Sequence, residues 1–332
     1  MNGQLKNEKQ SIKKPLLLTL AALFSSVLSV LVLEGAFSLI FTIFSAGALA
    51  GAMLISGSYF FLLIAPITYI VAYALSADLI VAFASVAYIP VAVVTVLAYT
   101  GKKSMVGIIC RTSAALAVFQ IIVFSMSFIS VHGSLSQETF LPFISETHTF
   151  IADTVYEMLI LPLGLQTVFT YEVLGGFITF AFILLPSVLI TVFNIAAFCI
   201  TALVRLFCFK TSCKYPIAPE SKSFAISRMA AVLFIVSYLI MVFAGTEFVS
   251  AFSAVAMNLV IIFTPGLALF GAIDFIRQPN NTSQKRTFTI VAMIFLFFMI
   301  PALFFILTAF SGAWATFRNK DQTKTNGGNY AP

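Results

Sequence analysis

Between Lys14 and Lys102 the chain runs for 87 residues (15–101) with two charged side chains, Glu34 and Asp78. A run of that length leaves too little polar surface to wrap a core against water. The rest of the chain has the same character: 9% of all 332 residues are charged and 61% are hydrophobic, where a soluble domain averages about 25% and about 45–50%. Soluble enzymes, nucleic-acid readers and disordered proteins are thereby excluded. With 17 Gly, 12 Pro and 4 Cys, collagen-like and disulfide-framework chains are excluded too. The expected class is all-α, a polytopic transmembrane helix bundle whose partner is the lipid bilayer and not nucleic acid.

A membrane helix needs about 20 mostly apolar residues. Glu34, the Ser56-Gly57-Ser58 stretch and Asp78 divide 15–101 into spans near 15–33, 36–55, 59–77 and 79–100. Further spans are expected at 112–130, about 177–205, about 229–244 and 249–273, the last two joined by a short turn at Gly245-Thr246-Glu247. Residues 131–158 read as a loop. The stretch 159–171, with Pro162, Gly164 and Gln166, is short enough to be interfacial or re-entrant and is expected to pack against the outer mouth of the bundle. Residues 287–317 admit two readings. One crossing would be a helix of about 46 Å at 1.5 Å per residue, longer than the hydrocarbon core; a break at Pro301 would give two shorter helices that return the tail. The expectation is eight or nine spans within a transmembrane domain 15–317, with an outside loop 131–176, a basic tail 1–14 and a polar tail 318–332.

The net charge of +6 speaks to topology rather than to an anionic partner. Lys and Arg are enriched in cytoplasmic loops. They gather here at Lys6 to Lys14, at Lys102, Lys103 and Arg111, from Arg205 to Arg228, at Arg277, Lys285 and Arg286, and at Arg318 to Lys324. The first four clusters place the N-terminus in the cytoplasm of a cell membrane. The acidic residues mostly lie between the clusters, where outside turns are needed. The first apolar run is too long for a signal-peptide core and reads as a retained helix. The sequons at Asn280 and Asn281 sit beside Arg277 and Lys285 and read as a cytoplasmic turn, without glycosylation.

No HExxH, Walker, GxSxG or Rossmann pattern is present, so no catalytic, cofactor or metal residue is assigned and an enzyme is not expected. Cys110, Cys199, Cys208 and Cys213 read as inert thiols, because the spacing of the last two lacks the further ligands of a zinc site. His132 and His148 share the expected outside loop with Glu138, Glu146 and Asp153, without a compact ligand spacing.

More informative are polar stripes at helical spacing. Ser113, Gln120 and Ser127 fall within about 40° of one another at 100° per residue, and Ser187, Thr191, Asn194 and Thr201 within about 80°. Asn258 belongs to a looser set that precedes Thr264-Pro265-Gly266, a candidate break, since proline removes a helix hydrogen bond. Such residues either bond between helices or line a cavity between the fifth, sixth and eighth spans; in either case Gln120 and Asn194 are expected to face the bundle interior, since an amide is too polar to leave in lipid without a partner. Gly47-Ala48-Leu49-Ala50-Gly51 is a small-residue stripe that lets helix backbones approach, either within the bundle or against another membrane subunit.

Asn258-Leu259, then Thr264-Pro265-Gly266-Leu267, Gly271, Pro301 and the closing Gly312-Ala313-Trp314-Ala315-Thr316-Phe317-Arg318 resemble the ending of the YybS-like family of polytopic bacterial membrane proteins. The resemblance covers residues 250–320. That family is remotely similar to the S components of energy-coupling-factor vitamin transporters, which implies a helix bundle that captures a small molecule and docks on a partner through small-residue faces. S components usually have six spans, and none of their ligand-contacting residues is matched here. The leading expectation is a transport-related, small-molecule-binding permease subunit. The alternative is a non-transporting scaffold that organises other envelope proteins.

Overall fold

The structure is a computed structural model and describes residues 2–31, 36–101, 105–209, 213, 226–243, 251–277 and 283–326. Glu34, Lys102, Lys103, Lys214, Glu247 and the sequon asparagines, all used above to mark turns, lie outside the described residues. The described chain is all-helical, and it packs as two compact units. The first comprises residues 1–147 and 192–223, the second residues 148–191 and 224–332.

Six helical stretches among the described residues are long and apolar enough to cross a membrane: Lys13–Leu31, Ser38–Ser56, Leu79–Thr100, Met105–His132, Tyr171–Cys208 and Phe252–Ile276. Three apolar helices are shorter: Phe60–Ser76, Arg228–Phe243 and Thr287–Met299. The chain is thus an integral membrane protein built from several apolar helices.

The first unit opens with α1 (Asn2–Leu31), which already includes the basic tail, and α2 (Ala36–Ser56). A 3-10 turn, Phe60–Leu63, leads into α3 (Ile64–Ser76). Asp78 then caps α4 (Leu79–Ser85), its Oδ1 accepting from the N–H groups of Ile80 (2.7 Å) and Val81 (3.3 Å). Capping satisfies backbone donors that the first helical turn leaves open, so the charge at 78 has a local task as well as a boundary one. The span expected over 79–100 is interrupted at Val86 and Ala87, after which α5 (Tyr88–Thr100) begins. Next comes α6 (Met105–His132).

Small residues dominate this unit's core. Ala22 of α1 and Ala46, Ala48, Ala50 and Ala52 of α2 are fully buried, and Leu49, Tyr88, Tyr99, Ile108 and Ile200 fill the space between the helices. Buried hydroxyls find partners: Ser45 donates to the Ala22 carbonyl (3.0 Å), Ser26 to that of Ser85 (2.9 Å), and Thr68 pairs with the Tyr88 hydroxyl (2.9 Å). An unpaired polar group at such depth would be costly.

The stretch read as a loop after residue 131 is largely helix. α7 (Gln137–Val155) fills it and continues through a π-helical turn, Tyr156–Ile160. Its Glu, Thr and His residues lower the mean hydropathy below what a crossing requires without removing the helical pattern. The turn region that follows is not packed away: Leu161, Leu163, Leu165 and Val168 are exposed.

α8 (Tyr171–Cys208) is one continuous helix despite Pro186. The second unit adds α9 (Arg228–Phe243), α10 (Ala251–Arg277), α11 (Ser283–Met299) and α12 (Pro301–Asn326). α10 is unbroken at Pro265, whereas Pro301 does separate two helices. Pro301 stands at the first position of α12, where its missing N–H costs nothing, and it disfavours a helical conformation for Ile300 before it.

α10 and α12 touch backbone to backbone. A Cβ on Gly271 would overlap the Thr308 carbonyl oxygen and stand 2.7 Å from the Gly312 nitrogen; one on Gly312 would overlap the Leu267 carbonyl oxygen. Beyond this crossing, Arg318 donates from one nitrogen to both carboxylate oxygens of Asp274, each at 2.8 Å, and Arg228 donates to the Phe317 carbonyl (3.2 Å). The end of α12 therefore lies beside the end of α10 and the start of α9. Of the two readings of 287–317, this is the geometry of the broken pair.

Candidate functional site

Three of the polar residues singled out on the sixth and eighth spans, Ser187, Thr191 and Asn258, come together in the second unit, beside two prolines. In an α-helix the N–H of residue 187 and the carbonyl of residue 183 form one i to i−4 pair. Pro186 lies within that turn and supplies no N–H of its own. The Asn258 carboxamide of α10 meets both members of the pair. Its Oδ1 accepts from the Ser187 N–H (3.3 Å), and its Nδ2 donates to the Ile183 carbonyl (3.0 Å). Nδ2 also donates to the Ala254 carbonyl on its own helix (2.8 Å).

The reverse arrangement holds on α10. Pro265 has no N–H to offer the Ile261 carbonyl, and that oxygen accepts a long bond from the Thr191 hydroxyl of α8 (3.5 Å). Each proline helix thus receives a polar side chain from the other. Ser187 and Thr191 stand four apart, as do Asn258 and Ala254, so each set shares one helix face. The hydroxyls of Ser187 and Thr264 turn back to their own helices, on the carbonyls of Leu184 (2.8 Å) and Val260 (2.6 Å).

The other predicted positions do not join this group. Ser113 is buried, Ser127 and Asn194 are half-buried, and Gln120 is exposed. Alternation of small polar residues along α6 reveals a stripe but not which way the stripe points. Thr201 is fully buried and returns its hydroxyl to the Ala197 carbonyl (2.7 Å). Gly47 and Gly51 contact a helix of the same chain: a Cβ at Gly47 would stand 2.9 Å from the Leu203 Cβ, and one at Gly51 3.3 Å from the Phe207 Cβ.

The two histidines go separate ways. His132 stacks among Phe128 (4.4 Å between ring centres) and Phe143 (5.4 Å). His148 Nε2 is 3.1 Å from both the Gly175 carbonyl and the Thr179 hydroxyl. Asp153 accepts from the Tyr171 hydroxyl (2.8 Å). Among the described residues no three His, Cys, Asp or Glu side chains converge.

Sequence reasoning missed one association. Cys208, at the end of α8, is buried in the first unit's core, and Cys213 packs against the same core.

In comparison with family models, curated proteins and solved structures, nothing matches this chain.

Proposed function

We propose that this integral membrane protein is a transport-related, small-molecule-binding permease subunit of a bacterial cell membrane, with eight or nine crossings and a cytoplasmic N-terminus. The observation that carries the reading is the exchange between α8 and α10. Two apolar helices each hold an internal proline, and Asn258 and Thr191 bond to the opposite helix's backbone beside it. Transporters commonly build their sites where polar groups and helix irregularities meet at membrane depth. The resemblance of residues 250–320 to the YybS-like family, which includes Asn258 and Pro265, supports the same reading. Leu203 and Phe207 of the same chain occupy the Gly47 and Gly51 face, so that stripe supports neither the docking of a permease subunit nor the scaffold alternative.

A thermal-shift screen in detergent against vitamins, metal ions and nucleosides tests the proposal. A ligand at about 100 times its Kd adds about 2.7 kcal/mol of stability. We expect a shift with one compound class and its loss in Asn258→Leu while that variant stays folded. A shift that survives Asn258→Leu unchanged would move the site elsewhere, and the absence of any shift would overturn the permease reading. Orientation is checked by reporters: cytoplasmic after Lys103, Lys214 or Lys285, and outside near Ser145.

A further inference from the structure

We propose that the basic end of the second unit, where α9 begins and α10 and α12 end, binds the phosphate headgroups of anionic phospholipids. The three helix ends are held together there: Arg318 donates to both oxygens of Asp274, and Arg228 to the Phe317 carbonyl. Every charged residue of these helices falls at this end. Arg228 opens α9, Asp274 and Arg277 close α10, and Arg318, Lys320, Asp321 and Lys324 fall in the last turns of α12. α11 opens close behind Arg277 in sequence, with Lys285 and Arg286 in its first turn. Seven of these nine residues are basic and two acidic, whereas residues 229–243, 251–273 and 287–317 carry no charge at all. Such an asymmetry gives the end a field that draws anions.

Trp314 fits this end to a lipid headgroup. It is 72% exposed on α12, one turn before Arg318 and on nearly the same helix face. The uncharged run of α12 finishes at Phe317, so the indole stands where apolar chain gives way to charged chain. Tryptophan gathers at that level of a bilayer, its ring among the headgroups. Asp274 fixes Arg318 in place through one nitrogen of the guanidinium, which has five N–H donors in all. Both Arg318 and Arg228 are exposed, and the planar fork of arginine matches phosphate oxygens. The inference needs the chain to lie in a bilayer and does not depend on a ligand site between α8 and α10.

Trp314 is the single tryptophan of the chain, so its fluorescence reports on this place alone. The full-length protein is reconstituted in phosphatidylcholine vesicles that contain brominated phosphatidylglycerol or, at equal mole fraction, brominated phosphatidylcholine. Bromine quenches an indole that it touches. We expect the anionic lipid to quench as though enriched about fivefold beside Trp314, the weight of one Lys or Arg near an anionic leaflet. In about 1 M salt, where the Debye length is about 3 Å, the two lipids should quench alike. Arg228→Gln with Arg318→Gln should bring the preference close to parity while quenching by brominated phosphatidylcholine stays unchanged. Asp274→Asn removes the competing carboxylate and should raise the preference, an opposite sign that a damaged fold does not produce. Equal quenching by the two lipids at low salt, a preference that survives loss of both arginines, or a fall in Asp274→Asn would each overturn the proposal. So would its abolition by sodium phosphate at an ionic strength where sodium chloride leaves it intact, since that marks a site for free phosphate.

Discussion

Both units bring helices close through small residues, but they use them differently. In the first, Gly47 and Gly51 of α2 lie under side chains, Leu203 and Phe207 of α8. In the second, Gly271 and Gly312 lie against backbone, each facing a carbonyl of the opposite helix. A side chain has rotamers with which to retreat, whereas a carbonyl inside a helix is held by its own hydrogen bond. The two glycine pairs therefore differ in how much added volume they tolerate, although both are small residues in apolar helices.

The sharpest way to break this comparison is Gly271→Ala or Gly312→Ala. Either adds a Cβ onto backbone that has nowhere to go, and we expect a loss of about 3 kcal/mol or more, beyond the usual overpacking range. Thermal unfolding in detergent reads it out directly; a variant with wild-type stability would show that the crossing opens freely. Gly47→Ala should cost less, about 1–2 kcal/mol, because Leu203 is able to shift by part of the overlap. Should Gly47→Ala prove as damaging as Gly271→Ala, the distinction between side-chain and backbone neighbours fails. Gly47→Leu with Gly51→Leu exceeds that allowance and should separate α2 from α8.

Smaller still is the effect of Arg318→Gln. The Arg318 side chain is 44% exposed and that of Asp274 17%, and ion pairs open to solvent contribute about 0.2–1 kcal/mol. We expect a loss within that range that fades at high salt, together with easier proteolysis of the α12 end. The smallest change is expected for Gln120→Leu. Its exposed position on α6 predicts a stability change within about 0.5 kcal/mol and an unaltered ligand response. A large loss there would mean that Gln120 meets a partner in the assembled membrane.

Element ends show what was legible without coordinates. α2 was expected over 36–55 and spans Ala36–Ser56; α9 was expected over 229–244 and spans Arg228–Phe243. Long apolar runs bounded by charge or glycine are read well, because backbone in a bilayer must bond within its own segment. α7 was missed for the same reason in reverse. A search for crossings passes over a helix that carries Glu138, Glu146, His148 and Asp153. The polar stripes were legible as stripes, yet only Ser187, Thr191 and Asn258 found backbone partners across helices, while Gln120 is exposed.

The sequence by itself determined that this is an all-helical membrane protein, since apolar length and scarcity of charge leave the backbone no other way to satisfy its hydrogen bonds in a bilayer. It also determined where proline withholds a backbone donor, Pro265 and Pro301 among them, because that chemistry belongs to the residue itself. Only the tertiary structure decided which interruption becomes a break. Pro186 and Pro265 lie inside continuous helices, with Asn258 and Thr191 bonding beside them, whereas Pro301 opens a new helix. Whether a partner reaches a freed group depends on a second helix arriving at the right height, and that is a property of packing between segments distant in sequence.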